Sequence, residues 1–215
     1  MLKNKFLLGL IAVVILGVIG YTFFGEETTV SVADYIAQLE KERKEKDNFY
    51  RNSDSSPIQD KANFKGLNYF TPNADYKVVA TVVPYHSSAQ DKQVAVPMTD
   101  GSTTTYEKYG FAEFTLPHES KAAELNVYRL LIYKHEKGLS ILFRDATAPQ
   151  ETYGGGRYLD FKTDDIKDSK LTLDFNLAYN PYCAYNHTFA CPIPPKENTL
   201  PVRVEAGEKI FEKKE

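Results

Sequence analysis

Two cysteines, four histidines and a run of charged groups between Phe143 and Asp174 are where this 215-residue chain has the means to do chemistry. Cys183, His187 and Cys191 have the spacing C-x3-H-x3-C. That pattern suits a soft metal, but zinc takes four ligands and only Glu197 offers itself as a fourth. A Cys183 or Cys191 nucleophile with His187 as base is a second reading, and a Cys183–Cys191 disulfide is a third. An exported domain favours the disulfide, because its compartment permits oxidation. Closing a loop of about nine residues would contribute roughly 2–3 kcal/mol. Neither a metal nor a cofactor is expected.

The second group is Arg144, Asp145, Glu151, Arg157 and Asp174, joined by Asn176, Tyr179 and Asn180 from the segment DFNLAYNPYCAYNHTFACPIPP. If these converge at one end of a sheet, the arginines would hold an anionic group, and the amides and the tyrosine would set specificity. Two other arrangements suit the same residues. Asp145, Glu151 and Asp174 would serve a hydrolase as acid and base if two of them faced an open cleft about 5–9 Å apart. A buried ion-pair network would instead tie loops to strands. No residue is identified as catalytic. No G-x-x-x-x-G-K-[ST] or G-x-S-x-G is present, and His118-Glu119 and His135-Glu136 meet Ala122 and Leu139 where H-E-x-x-H needs histidine. Gly154-Gly155-Gly156 precedes a strand, so it reads as a bulge or tight turn rather than a phosphate loop.

The elements that must position these groups are mostly strands. Period-two patterning appears at Tyr76–Val83, Gln93–Val96, Tyr106–Leu116, Leu125–Lys134, Leu139–Arg144, Arg157–Phe161, Leu171–Phe175 and Val202–Glu205. Turns are expected at Glu136-Lys137-Gly138 and Asp168-Ser169. Without crossover helices between strands, the fold class is mainly β, an antiparallel sandwich or barrel-like domain. Ahead of it, Ser31 and Asp34 resemble a capping box, and Val32, Tyr35, Ile36 and Leu39 give a short apolar stripe. The charged stretch Glu40–Lys46 makes this a solvated spacer helix. Ser56, Pro57 and Gln59 signal a second short helix that Gly66 closes. Glu208–Glu215 reads as a frayed end.

The N-terminus fixes the expected location. Lys3 and Lys5 precede an uncharged run from Phe6 to Phe24, which as a helix spans roughly 28 Å, the thickness of a bilayer core. Basic residues before it and Glu26 and Glu27 after it place the main domain outside the cytoplasm. A cleaved signal peptide is the competing reading, but the run is long and ends Tyr21-Thr22-Phe23-Phe24, a poor cleavage site. The organisation is therefore 1–25 cytoplasmic stub and transmembrane anchor, 26–55 tether and spacer helix, 56–210 β-rich domain and 211–215 tail. With a net charge of -3, the chain has no global basic field to invite nucleic acid, and no nucleic-acid partner is expected.

Phe143–Thr147, Glu151–Tyr158 and Leu173–Gly207, with Phe49-Tyr50-Arg51, Ser56-Pro57 and Phe64–Phe70, resemble an uncharacterised bacterial family, domain of unknown function 1684. The resemblance covers roughly residues 31–210. It implies an exported or lipid-anchored protein and transfers no activity. Cys183 and Cys191 match the family's pattern and His187 does not. The chain departs from lipid-anchored relatives by having a plain hydrophobic anchor. The expectation is a membrane-anchored envelope protein that binds a small polar or anionic ligand or an envelope protein, or scaffolds; an envelope hydrolase is the alternative.

Overall fold

The computed structural model describes residues 31–86, 89–116 and 126–211. The anchor expected over residues 6–24 lies outside them. Among the described residues no helix is long and apolar enough to cross a membrane. Ser31 Oγ accepts the Asp34 N–H at 3.1 Å and donates to its carboxylate at 2.7 Å. This cap starts helix α1, Val32–Asn52. The compact unit begins within that helix, at Ile36.

Among the described residues seven antiparallel strands form one curled half-barrel sheet. They are β1 (Lys77–Pro84), β2 (Gln93–Pro97), β3 (Thr103–Phe114), β4 (Tyr128–His135), β5 (Gly138–Phe143), β6 (Arg157–Phe161) and β7 (Lys170–Asp174). The order is β6-β5-β4-β3-β1-β7, and β2 shares with β1 the edge of β3 opposite β4. Long β3 makes this possible: Thr103–Glu107 pair with β2, and Gly110–Glu113 pair with β1. A register shift between Lys108 and Gly110 bends β3 where it changes partners.

Alternation then sorts side chains to two faces. Leu130 and Ile132 of β4, with Leu139, Ile141 and Phe143 of β5, join the main core against Phe175, Ala178, Leu200, Val204 and Ala206. Leu131, Tyr133 and Leu142 face the other way, among Val96, Tyr158 and Tyr179. Of the expected sandwich or barrel-like domain, the mainly β, antiparallel character holds, and the sheet is a single curled half-barrel whose main face is covered by C-terminal coil. Both expected turns form. Glu136 and Lys137 connect His135 to its partner Gly138, and Asp168 and Ser169 take φ of 48° and 57°, as a type I′ turn requires.

Three expectations are corrected. Ser56–Gly66 is not a helix, because the Ser56 hydroxyl donates to the Tyr50 carbonyl at 2.6 Å and accepts the Ile58 N–H. A side chain that bonds local backbone in this way competes with helix formation. Val202–Glu205 is not a strand, since the Val204 and Ala206 carbonyls accept hydrogen bonds from Arg157 instead of a neighbouring strand. Glu208 is not frayed. It is 1% exposed and pairs with Lys46 of α1, while residues 212–215 of that expected end lie outside the described residues.

The charged stretch of α1 also does more than stand in solvent. Arg43 donates to the Phe70 carbonyl at 2.9 Å, Lys46 pairs with Glu208, and Asp47 accepts the Leu67 N–H at 2.9 Å. Tyr50 packs with Ile58, Phe64 and Tyr185.

A sealed ion pair, a paired helix and an open aromatic cleft

Arg157 opens β6 and is 1% exposed. Its guanidinium donates to Asp145 Oδ2 at 2.6 Å, to the Val204 carbonyl at 3.0 Å, to the Glu208 carbonyl at 3.2 Å and to the Ala206 carbonyl. Asp145 Oδ1 accepts the Thr147 N–H at 2.8 Å and the Thr147 hydroxyl, which also meets Thr152 at 2.8 Å. Burial lowers the Arg157 pKa and the Asp145 carboxylate opposes that shift. The glycine run allows the approach to β6. Gly156 has φ of 92°, and a Cβ there would lie 2.7 Å from the Phe143 carbonyl oxygen.

The other expected site residues are dispersed around this pair. Arg144 is half-buried and donates to the Gly154 carbonyl at 3.1 Å. Glu151 pairs with Arg203. Asp174 Oδ1 accepts from the Asn176 backbone and amide at 3.1 Å, and the Asn176 side chain in turn holds both backbone groups of Asn73. Asn180 donates through its backbone to Glu208 and through its amide to the Lys209 carbonyl. Its Oδ1 is buried with no hydrogen-bond partner among the described residues. The carboxylates considered for acid–base work are each engaged in this way. Of the eight, Tyr179 lines a cleft of about 710 Å³ and, together with Asn176, a second cavity of about 140 Å³.

The second polar centre went unforeseen. Glu208 accepts from Lys46, from the Asn180 N–H at 2.9 Å and from the Tyr185 hydroxyl. Lys46 also lies over the Tyr50 and Tyr179 rings, 5.4 and 5.0 Å from their centroids. Burial, reinforced by the Glu208 charge, raises the Tyr50, Tyr69 and Tyr185 pKa values, so these phenols stay protonated. Asn198 is a further unforeseen residue. Its amide accepts the Leu131 N–H at 2.6 Å and donates to the Leu131 and Leu142 carbonyls, joining β4 to β5 beyond their three-pair ladder.

Beside Lys46 the surface opens into a cleft of about 710 Å³ between α1 and the loop 181–191. Phe49, Tyr50 and Glu45 line the helix side; Pro181, Tyr182, Phe189, Ala190 and Cys191 line the loop side, with Tyr158 and Tyr179 contributed from β6 and the turn after β7. Phe49 and Phe189 remain 44% and 38% exposed, and Phe189 meets Tyr182 edge to face at 5.3 Å. Tyr182 belonged to the segment singled out in the sequence. Phe49 entered only with the Phe49-Tyr50-Arg51 block of the family resemblance, because an aromatic pair after a charged run carries no periodic signal.

Cys183 and Cys191 are adjacent buried thiols in this structure: the Cys183 N–H donates to Cys191 Sγ at 3.1 Å. Tyr153 donates to Cys183 Sγ at 3.7 Å, and Thr99 Oγ1 accepts the Cys191 N–H at 3.0 Å. Hydrogen bonding from Cys191, then from Tyr153 and Thr99, lowers the Cys183 pKa from 9.0 to about 6 against the opposing effect of burial. The Cys191 pKa is raised, its largest cause being the same bond to Cys183. His187 is exposed, and among the described residues no group of three or more histidine, cysteine or acidic side chains is placed to hold a metal ion.

A curled antiparallel sheet capped by a helix and a cysteine loop, with an aromatic cleft between the caps, defines the class of domain. The model for the family of proteins of unknown function DUF1684 matches residues 62–209, and the chain belongs to that family. Among solved structures it is similar to the solution NMR structure of an uncharacterized protein of Haloarcula marismortui. The identity is 36% over 82% of this chain and 95% of that chain, with a TM-score of 0.59. No curated protein matches it.

Proposed function

We propose that this chain is a ligand-binding module of the bacterial cell envelope, anchored by residues 6–24 with its main domain outside the cytoplasm. The location rests on the uncharged run from Phe6 to Phe24 and on the lysines that precede it. The binding role rests on the open cleft beside Lys46. Its volume, near 710 Å³, falls within the range of about 300–1,000 Å³ common to small-molecule sites, and its walls are mainly aromatic. Such walls suit a small molecule with a flat apolar face, and Glu45 offers a polar contact at the edge. Lys46 is neutralised by Glu208, so the ligand is better described as polar than as anionic.

The full-length chain, gently extracted from its own envelope, should carry a non-protein mass in native mass spectrometry that disappears on denaturation. The Tyr182→Ala/Phe189→Ala variant should emerge without it. A wild-type protein that is bare in the native state would overturn the binding role. Protease added to spheroplasts should digest the main domain; full protection would overturn the location.

A further inference from the structure

Cys191 is both a wall of the cleft and one half of the thiol pair. Pro181, Tyr182, Phe189 and Ala190, which complete that wall, are all within three residues of one cysteine or the other. The reduced arrangement is a built one. Cys191 Sγ accepts a backbone N–H, Cys183 Sγ accepts a phenol O–H, and Thr99 holds the Cys191 backbone at both its N–H and its carbonyl. The glycine run helps to place the phenol: a Cβ on Gly155 would lie 2.2 Å from the Tyr153 ring, so only glycine lets that ring fold back toward Cys183.

We propose that Cys183 and Cys191 form a reversible dithiol–disulfide site that exchanges with external thiols and disulfides through the cleft and thereby sets the shape of the cleft wall. Its regulatory meaning rests on the cleft being the binding site; the exchange chemistry does not.

In reduction an external thiolate attacks Cys191 Sγ from the cleft. The S–S bond breaks, and Cys183 leaves as the thiolate that Tyr153 stabilises by hydrogen bonding. A second external thiol then resolves the mixed disulfide, releasing Cys191 as a thiol and carrying away both oxidised equivalents as an external disulfide. In oxidation Cys191 passes its proton to Cys183 along their shared hydrogen bond and attacks the external disulfide, expelling one thiolate. That thiolate takes back the proton. Cys183, again a thiolate, displaces the second external thiolate from Cys191. Two electrons pass from the dithiol to the external disulfide. Stabilising the leaving thiolate speeds reduction and favours the dithiol, which separates this pair from an inert structural bridge.

The test uses the full-length chain in detergent micelles, labelled with 3-fluorotyrosine and poised in reduced and oxidised glutathione. Thiol alkylation followed by mass spectrometry should show one two-electron transition, reversed by returning to reduced glutathione. Tyr153→Phe should shift the equilibrium about tenfold toward the disulfide, about 30 mV for a two-electron couple. p-Cresol, a phenol with one flat apolar face, is then titrated against the fluorine signals of Tyr182 and Tyr179. Its affinity should differ at least threefold between the two redox forms, and Cys183→Ser/Cys191→Ser should remove the difference. A disulfide that resists reduced glutathione, or thiols that resist oxidised glutathione, would overturn the exchange site. Equal p-cresol affinity in both forms would overturn its control of the cleft. If p-cresol binds neither form, the cleft fails as a binding site, and the alkylation result still decides the exchange chemistry.

Discussion

Among the described residues two ion pairs, Arg157–Asp145 and Lys46–Glu208, look alike in outline and differ in what surrounds them. Arg157 and Asp145 are sealed beneath the C-terminal coil, with side chains 2% and 1% exposed and every partner supplied by protein. Lys46 and Glu208 have one sealed member and one that reaches the surface, the Lys46 side chain being 28% exposed beside the aromatic cleft. Complete satisfaction leaves a charged group nothing to offer a ligand. The first pair therefore organises the sheet's end, and the second fixes the helix that forms one wall of the cleft. Concentrated charge in the sequence pointed to the first pair, whereas the open apolar surface lies near the second.

The comparison is broken most severely at Arg157. Arg157→Met leaves Asp145 charged and buried without its partner and three carbonyls without a donor, and should cost about 3–5 kcal/mol. Adding Asp145→Leu should recover part of that loss, because the orphaned charge goes while the carbonyls remain. Denaturant unfolding at one pH measures both. Asn198→Ala should cost about 2–3 kcal/mol by the same measurement, since it strands buried backbone groups of Leu131 and Leu142. Glu208→Gln should be milder, about 1–2 kcal/mol, because Lys46 can turn to water. Its signature is local: faster amide exchange in α1 and around Asn180, with the sheet unchanged.

These ranks show what was legible in the sequence. The strands were visible because Val78, Ala80 and Val82, or Leu139 and Ile141, repeat at the sheet period and need only one buried face. Val202–Glu205 had the same local signal but lost its ladder to the Arg157 guanidinium, which lies 45 residues or more away in the chain and so is invisible to any local pattern. The pairing of Asp145 with Arg157 was among the arrangements their spacing allowed. Glu208 and Lys46 were hidden for the opposite reason. Each sits in a charged run that reads as solvated, and only the fold brings them together across 162 positions.

The thiol pair gives a smaller effect with a defined pH window. Folding depresses the Cys183 pKa from 9.0 to about 6, so its contribution to the reduced protein is complete above pH 9 and is lost as pH falls through about 6. Cys191 is raised, which acts in the opposite sense as pH climbs past 9. The reduced protein should therefore gain stability from pH 6 to 9, and Cys183→Ser should flatten that rise in thermal melts. The smallest stability change should come from the cleft itself: Tyr182→Ala/Phe189→Ala removes exposed or half-buried rings and should cost about 1 kcal/mol or less.

That last variant bears most directly on the central claim, that recognition belongs to the open cleft and not to the sealed charges. Saturation-transfer NMR with p-cresol on the reduced full-length chain, wild type against Tyr182→Ala/Phe189→Ala and against Arg144→Ala, makes the test. Transfer to p-cresol in the wild type and in Arg144→Ala, abolished in the double variant while its melting curve stays within the small shift above, is the predicted result. Undiminished transfer in the double variant, or transfer lost only in Arg144→Ala, would contradict it.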